Sequence, residues 1–142
     1  MNVFVYGTLT ESDQADSVLH DYSYRGPAVL EGLQRVEGAH PTLAPGGSVA
    51  GRLLTTDDAA ALDRYEGVKN GLYVRISVPL VTGSAEGNGD ESGRVEVYVG
   101  DPDRLEADAE WPAEGRFAER VLAYLVEHDV RVRCRRDAPF EN

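Results

Sequence analysis

The sequence predicts an α+β fold with a largely antiparallel sheet or a small barrel. Several short apolar segments have the period-two alternation of strands, and glycine-rich turns separate them. Two or three segments with helical spacing lie between the strands, which favours α+β over an all-β fold. The length of 142 residues suits one domain, and neither an internal repeat nor a domain boundary is visible. We therefore expect residues 1–142 to form a single domain, with residues 133–142 as the candidate for a flexible tail.

The first half of the chain is predicted to form strands around one short helix. The apolar run at residues 2–7, NVFVYG, ends in glycine and predicts a buried strand. Residues 10–19 predict a short helix with Thr10 or Ser12 as its N-cap and acidic residues in its first turn. The segments that follow predict two strands broken at Gly32 (residues 24–38), a Pro/Gly loop (39–47) and another strand (48–56).

The second half predicts a compact helix, a hairpin and an amphipathic helix. Residues 56–67, TDDAAALDRYEG, predict a helix capped by Thr56 and ended by Gly67. Residues 72–82 alternate as a half-buried strand, and residues 94–100 return after an acidic, glycine-rich turn. The remaining segments are a helix with apolar residues at helical spacing (114–130), a candidate strand starting at residue 131, and a polar tail.

Charge and composition exclude several classes of function. Asp and Glu total 25 against 14 basic residues, a net charge of −11, which opposes binding to nucleic acid or anionic membranes. Lys69 is the one lysine, and we interpret this composition as adaptation to high salt; an acidic protein from a GC-rich genome is the alternative. No apolar run approaches the ~20 residues of a membrane span, and the N-terminus lacks a signal-peptide pattern, so we expect a cytoplasmic protein. The lone Cys134 and three scattered histidines indicate no metal site.

Three segments carry residues that could do chemistry, and each also has a purely structural interpretation. The turn Tyr6–Leu9 could direct backbone N–H groups at an anion, or it could be an ordinary turn. Glu66 ends a helix, where the negative dipole and an apolar wall would raise its pKa, or it could be a solvated carboxylate. Tyr98 lies in a strand and could line a cleft or simply pack in the core.

The order of these motifs resembles the γ-glutamylcyclotransferase-like family. The resemblance runs from residue 3 to about residue 100, through VFVYGTL, HPTLAPGGSVAGRLL, LDRYEGVKNGLYVRISV and VEVYVG, and EGVKNGLYV is its most specific part. It implies a small, mostly antiparallel β-barrel with flanking helices. It also implies that Glu66 is the catalytic acid–base. The residues it implies for the substrate cavity are Tyr6, Gly7, Thr8, Leu9, Tyr73 and Tyr98. The sequence departs from the family at Arg52, where an acidic residue is common, and at Thr8, where serine is common.

The resemblance further implies a cofactor-independent reaction on a γ-glutamyl amide, peptide or amine. The substrate's α-amine would attack its own γ-carbonyl, expelling an amine and releasing 5-oxoproline. The nucleophile belongs to the substrate, so the chain needs no Ser, Cys or metal, and Glu66 would move the protons. The alternatives are a non-catalytic module that binds a small molecule in the same cavity and an interaction protein using the helix near residues 116–130. We expect a small-molecule partner and no nucleic acid, membrane or cofactor; the oligomeric state stays open.

Overall fold

The computed structural model describes residues 1–67, 71–82, 90–112 and 114–134. Within these residues six strands close into one barrel, in the order β1-β3-β2-β6-β4-β5. The elements are, in chain order, β1 Asn2–Val5, a 3₁₀ turn Thr8–Thr10, α1 Ser12–Val18, β2 Tyr22–Val36, β3 Thr42–Thr56, α2 Ala59–Glu66, β4 Tyr73–Thr82, β5 Asp90–Gly100, α3 Pro102–Leu105, α4 Phe117–Glu127 and β6 Arg131–Cys134.

The strand pairing of this barrel is mostly antiparallel. Strands pair antiparallel at β1–β3, β2–β3, β2–β6 and β4–β5. They pair parallel at β4–β6 and at β1–β5, and the second of these pairs closes the ring. This confirms the predicted α+β fold with a small, mostly antiparallel barrel and flanking helices.

The long strands β2 and β3 differ from the sequence prediction. Gly32 does not break β2 in two; it has a φ of 101° and accompanies a register shift between Glu31 and Leu33 within one strand. The predicted Pro/Gly loop at residues 39–47 is wrong from residue 42 onward, because those residues begin β3. Pro45 pairs there with Leu33 of β2, in a part of β3 that β1 does not reach, and a residue without an N–H is tolerated on such an edge.

The helices form where expected, but the predicted N-caps are wrong. Glu11 precedes α1 as its N-cap without a side-chain capping bond, so neither Thr10 nor Ser12 has that role. Asp58 is the N-cap position of α2, also without a side-chain bond. The hydroxyl of Thr56 instead accepts a hydrogen bond from the N–H of Asp58 at 3.0 Å. The short helix α3 was not predicted.

Strands β1 and β5 bury side chains on both of their faces, and the buried residues form two apolar clusters. One cluster takes residues from all six strands and fills the barrel; it includes Phe4, Leu30, Leu43, Ile76, Val97 and Val132. The second cluster packs α1 and α2 on the opposite faces of β1 and β5; it includes Val3, Val5, Ala15, Leu62, Tyr73 and Tyr98. The period-two alternation along β1 therefore divides its side chains between the barrel interior and the helical layer.

Several predicted segments fall partly outside the described residues. The hairpin of β4 and β5 is present, and the second strand starts at Asp90, inside the segment predicted as a turn; residues 83–89 lie outside the described residues. Of the candidate tail, Arg133 and Cys134 end β6, and residues 135–142 lie outside them as well. In the described part of the chain, none of the helices has the length and apolar character needed to cross a membrane.

Candidate active site

Glu66 is placed by an abrupt helix end. It is the last residue of α2, and Gly67 follows in the left-handed region with a φ of 72°. The N–H of Leu72 then bonds the carbonyl of Gly67 at 3.1 Å, so the chain returns towards the end of the helix. The backbone angle favours glycine, and a Cβ at position 67 would also lie only 3.1 Å from the Leu72 side chain, a tight contact.

A cavity of about 270 Å³ lies between this helix end and the barrel. Of the predicted site residues, the structure brings together the turn after β1, the glutamate and the two strand tyrosines. The residues that line it are Phe4, Val5, Tyr6, Gly7, Leu9, His40, Pro41, Tyr65, Glu66, Leu72, Tyr73 and Tyr98. For Thr8 the described part is the backbone, in the 3₁₀ turn, and its predicted side-chain role lies outside the described residues.

Burial raises the pKa of the Glu66 carboxyl. Loss of solvation raises its pKa from 4.5 to about 7, because the charged form is taken out of water. The direction agrees with the sequence analysis, and the cause is burial. The charge of Glu66 also contributes to the raised pKa values of Tyr6 and Tyr73, after burial in each case. Near neutral pH the carboxyl therefore exists in both protonation states.

The turn after β1 contributes backbone donors to the same cavity. The carbonyl of Gly7 accepts hydrogen bonds from the Thr10 N–H at 3.1 Å and the Thr10 hydroxyl at 2.7 Å, which fixes the turn. Gly7 and Leu9, at the two ends of the segment that the carbonyl of Gly7 helps to fix, both line the cavity. Backbone donors in such a turn can hold a carboxylate or a developing oxyanion.

The three cavity tyrosines direct their hydroxyl groups into the protein framework. Tyr6 donates to the carbonyl of Tyr98 at 2.6 Å, and Tyr73 donates to the carbonyl of Pro41 at 2.6 Å. Tyr98 donates to Oδ1 of Asp63 at 2.7 Å. Each hydroxyl has therefore used its proton in a bond within the framework, while the three residues line the cavity.

Two further residues line the cavity that were not predicted, and Arg52 lies outside it. His40 and Tyr65 line the cavity from exposed positions. Both lie in segments that carry the family resemblance, but neither side chain was predicted to be a site residue. Arg52 does not line the cavity; it donates to the Thr10 carbonyl at 2.8 Å and lies 3.6 Å over the ring of Tyr24. Within the described ranges, no three His, Cys, Asp or Glu side chains are close enough to hold a metal ion.

Comparison with known proteins identifies the family. The family model described as γ-glutamyl cyclotransferase, AIG2-like, matches residues 3–118. The chain belongs to this family. Protein AIG2 C of Arabidopsis thaliana is 31% identical over 103 residues, which are 69% of this chain and 60% of that protein, so the match spans less than two thirds of the relative. The expected resemblance is therefore confirmed.

Solved structures share the fold of this family member. A protein titled γ-glutamyl cyclotransferase superposes with a TM-score of 0.58 at 16% identity, over 89% of this chain and 98% of the other. The solution structure of an Arabidopsis thaliana protein gives a TM-score of 0.51 at 28% identity, over 89% of this chain and 75% of the other. At 16% identity the first match carries the barrel architecture and no residue roles.

Proposed function

We propose that this protein is a cyclotransferase that releases 5-oxoproline from a γ-glutamyl amide, peptide or amine, with Glu66 as general acid and base. The observation that carries the proposal is the shared cavity: Glu66 and the turn residues Gly7 and Leu9 line one space. The family assignment supports the same reaction class.

The reaction needs proton transfer more than it needs a protein nucleophile. The α-amine must lose a proton as it attacks the γ-carbonyl, and the departing nitrogen must gain one. A single carboxyl can do both in turn if its pKa is near the working pH, and burial brings Glu66 to about 7. Deprotonated Glu66 would accept the proton from the amine, and the protonated form would then donate it to the leaving nitrogen.

The cavity suits the substrate in size and in hydrogen-bonding character. Its volume of about 270 Å³ lies just below the usual range for ligand pockets, which suits a compact γ-glutamyl group better than a large ligand. The backbone N–H groups of Gly7 and Leu9, two residues of the cavity lining, would hold the substrate's anionic oxygens while its chain is curled. Holding the amine beside its own carbonyl can contribute ~7–11 kcal/mol in favourable systems.

The leaving group of the substrate would lie at the rim of the cavity. The exposed side chains of His40 and Tyr65 border the cavity, whereas Phe4 and Tyr6 line it from positions buried in the barrel. A γ-glutamyl group bound against the inner wall would extend its amine portion past these two rings to solvent. Leaving groups of different sizes would then be accommodated without a change in the acid–base machinery.

The test is direct detection of 5-oxoproline. Wild-type protein is incubated with a panel of γ-glutamyl amino acids and γ-glutamylamines at low and high salt, and the product is quantified by mass spectrometry. We expect release with at least one substrate and a loss of at least ~10²-fold in Glu66→Gln, with substrate affinity retained. Glu127→Gln, on the exposed end of α4, is the matched control.

Two outcomes would contradict the proposal. Near-normal turnover in Glu66→Gln would remove the glutamate from the chemistry. Saturable binding of the panel to the wild type without any 5-oxoproline would favour the non-catalytic binding module instead.

A further inference from the structure

We propose that Asp63, Tyr98 and Arg75 form an anchor that holds helix α2 against the barrel and thereby positions Glu66. We call these three residues the Asp63 anchor. The inference rests on the proposed acid–base role of Glu66, and it assigns positioning roles to residues on three different elements. It gives the hydroxyl of Tyr98 a task other than contact with substrate.

The geometry of the anchor converges on one oxygen atom. Oδ1 of Asp63 accepts hydrogen bonds from the Tyr98 hydroxyl at 2.7 Å and from Nη1 of Arg75 at 3.2 Å. Arg75 and Tyr98 are directly paired residues of β4 and β5, so their side chains leave the sheet side by side on one face. Nε of Arg75 also lies 3.5 Å from Glu96, two residues before Tyr98. The sheet therefore presents a fixed pair of donors to a single residue of the helix.

The anchor is one turn away from the proposed catalytic residue. Asp63 and Glu66 are three positions apart in α2, a spacing that places side chains on neighbouring parts of one helix face. Tyr98 lines the cavity, and its hydroxyl bonds Asp63, which is not among the lining residues. The wall of the cavity and the support of the helix are thus the same tyrosine.

The helix is short, so each attachment matters for its position. It has eight residues, too few for a stable helix on its own, and its buried residues are Ala61 and Leu62, which pack in the second cluster. The hydroxyl of Tyr65 also accepts a hydrogen bond from Nε2 of Gln14 in α1 at 3.1 Å, at an exposed position, whereas the Asp63 anchor ties the helix to the barrel itself. The Asp63–Tyr98 bond is partly shielded, since Tyr98 is 3% exposed and the Asp63 side chain is 34% exposed. A charge-assisted bond to a buried hydroxyl has a more defined geometry than a surface ion pair.

Loss of the anchor should expose Glu66 to water, and this gives the proposal a specific readout. Burial is the cause of the raised pKa of Glu66, so a looser helix should bring that pKa back towards 4.5. The titratable groups of other elements that line the same cavity are Tyr6 directly after β1, Tyr73 of β4, Tyr98 of β5 and His40 of the segment between β2 and β3. The tyrosines are protonated throughout the relevant range, and His40 is present in every variant.

The experiment compares three anchor variants by the pH profile of kcat/KM. Tyr98→Phe keeps the ring and removes the bond, Asp63→Ala removes the acceptor, and Asp63→Asn keeps an acceptor oxygen while removing the charge. We expect Tyr98→Phe and Asp63→Ala to move the acidic limb about one pH unit downward and to lower kcat at pH 7.5 by about tenfold, with a smaller change in KM. Asp63→Asn should shift the limb much less. Tyr124→Phe is the matched control, because its hydroxyl bonds Gly32 and Gly46 and it does not line the cavity.

The pattern across the variants separates anchoring from a direct charge effect and from general loosening of the fold. Equal shifts in Asp63→Asn and Asp63→Ala with none in Tyr98→Phe would show a direct effect of the Asp63 charge and would overturn the proposal. A shift of the same size in Tyr124→Phe would show general loosening and would overturn it too.

A second measurement does not depend on turnover. The carboxyl carbon of Glu66 is titrated by NMR in protein labelled with ¹³C-glutamate, with Glu66→Gln used to assign the signal. A lower midpoint in Tyr98→Phe than in the wild type supports the anchor even if no substrate of the panel is turned over. An unchanged midpoint in both Tyr98→Phe and Asp63→Ala rejects the anchor even if the cyclotransferase activity is found.

Discussion

Replacing Glu66 by glutamine should make the protein more stable at alkaline pH. In the folded state burial raises the pKa of the carboxyl to about 7, whereas in the unfolded chain it returns to its ordinary value of 4.5. The folded state therefore holds this proton more tightly than the unfolded state. The contribution of Glu66 to wild-type stability is therefore greatest below pH 4.5, falls as the pH rises from 4.5 through 7, and is constant above that range.

The size of the effect follows from the same two values. Each pH unit between 4.5 and about 7 corresponds to 1.36 kcal/mol, so ionised Glu66 costs the folded protein about 3 kcal/mol at pH 8. Glutamine has nearly the same size and no charge at any pH. Glu66→Gln should match the wild type at pH 4.5 and exceed it by about 3 kcal/mol at pH 8, which corresponds to a Tm about 10 °C higher.

The assay is urea denaturation followed by circular dichroism at half-unit steps from pH 4.5 to 8.5. The informative quantity is the difference in the free energy of unfolding between variant and wild type, which should open between pH 4.5 and 7 and then stay constant. Glu127→Gln, at an exposed position of α4, controls for the general effect of removing one negative charge. A difference between Glu66→Gln and wild type that does not vary with pH would refute the conclusion that burial sets this pKa.

Three further predictions concern activity and salt. The kcat/KM of the wild type should rise with pH around a midpoint near 7, because burial raises the pKa of the Glu66 carboxyl to about 7. Initial rates measured from pH 5 to 9 test this, and a midpoint near 4.5 would contradict it. Tyr73→Phe removes the hydrogen bond to the Pro41 carbonyl, and it should lower kcat/KM by about tenfold and the free energy of unfolding by about 1 kcal/mol. A loss of kcat/KM as large as that of Glu66→Gln would instead give Tyr73 a proton-transfer role. If the net charge of −11 reflects adaptation to high salt, Tm should rise steadily from dilute buffer to molar KCl in a thermal-melting series, and a flat response would favour a GC-rich genome as the origin of the composition.

Local patterns in the sequence predicted the parts of the fold that depend on neighbouring residues. The apolar run before Gly7 predicted β1, and the helix signature ending at Gly67 predicted both α2 and the position of Glu66 at its end. The start of β3 was predicted as a loop because Pro45 and the glycines after it are ordinary loop residues. Their strand geometry comes from pairing with β2, which local composition does not report.

The parts of the site that were not predicted all depend on contacts between distant residues. The bond from Tyr98 to Asp63 joins residues 35 positions apart, and no periodicity in either segment indicates it. Tyr98 was predicted from the family resemblance to bind substrate; the structure places its ring on the cavity and its hydroxyl on the helix. His40 reaches the same space because Tyr73 bonds the carbonyl of the next residue, Pro41.

The bond between the Tyr6 hydroxyl and the Tyr98 carbonyl spans 92 positions of the chain. On a ribosome, the turn after β1 is made early and must wait for most of the remaining polypeptide before its partner strand exists. Long-range pairings of this kind slow folding, because the entropy of closing a large loop is lost before any stabilising contact forms. A nascent chain that stops short of β5 therefore has the glutamate and the turn but lacks Tyr98 and with it one wall of the cavity between them.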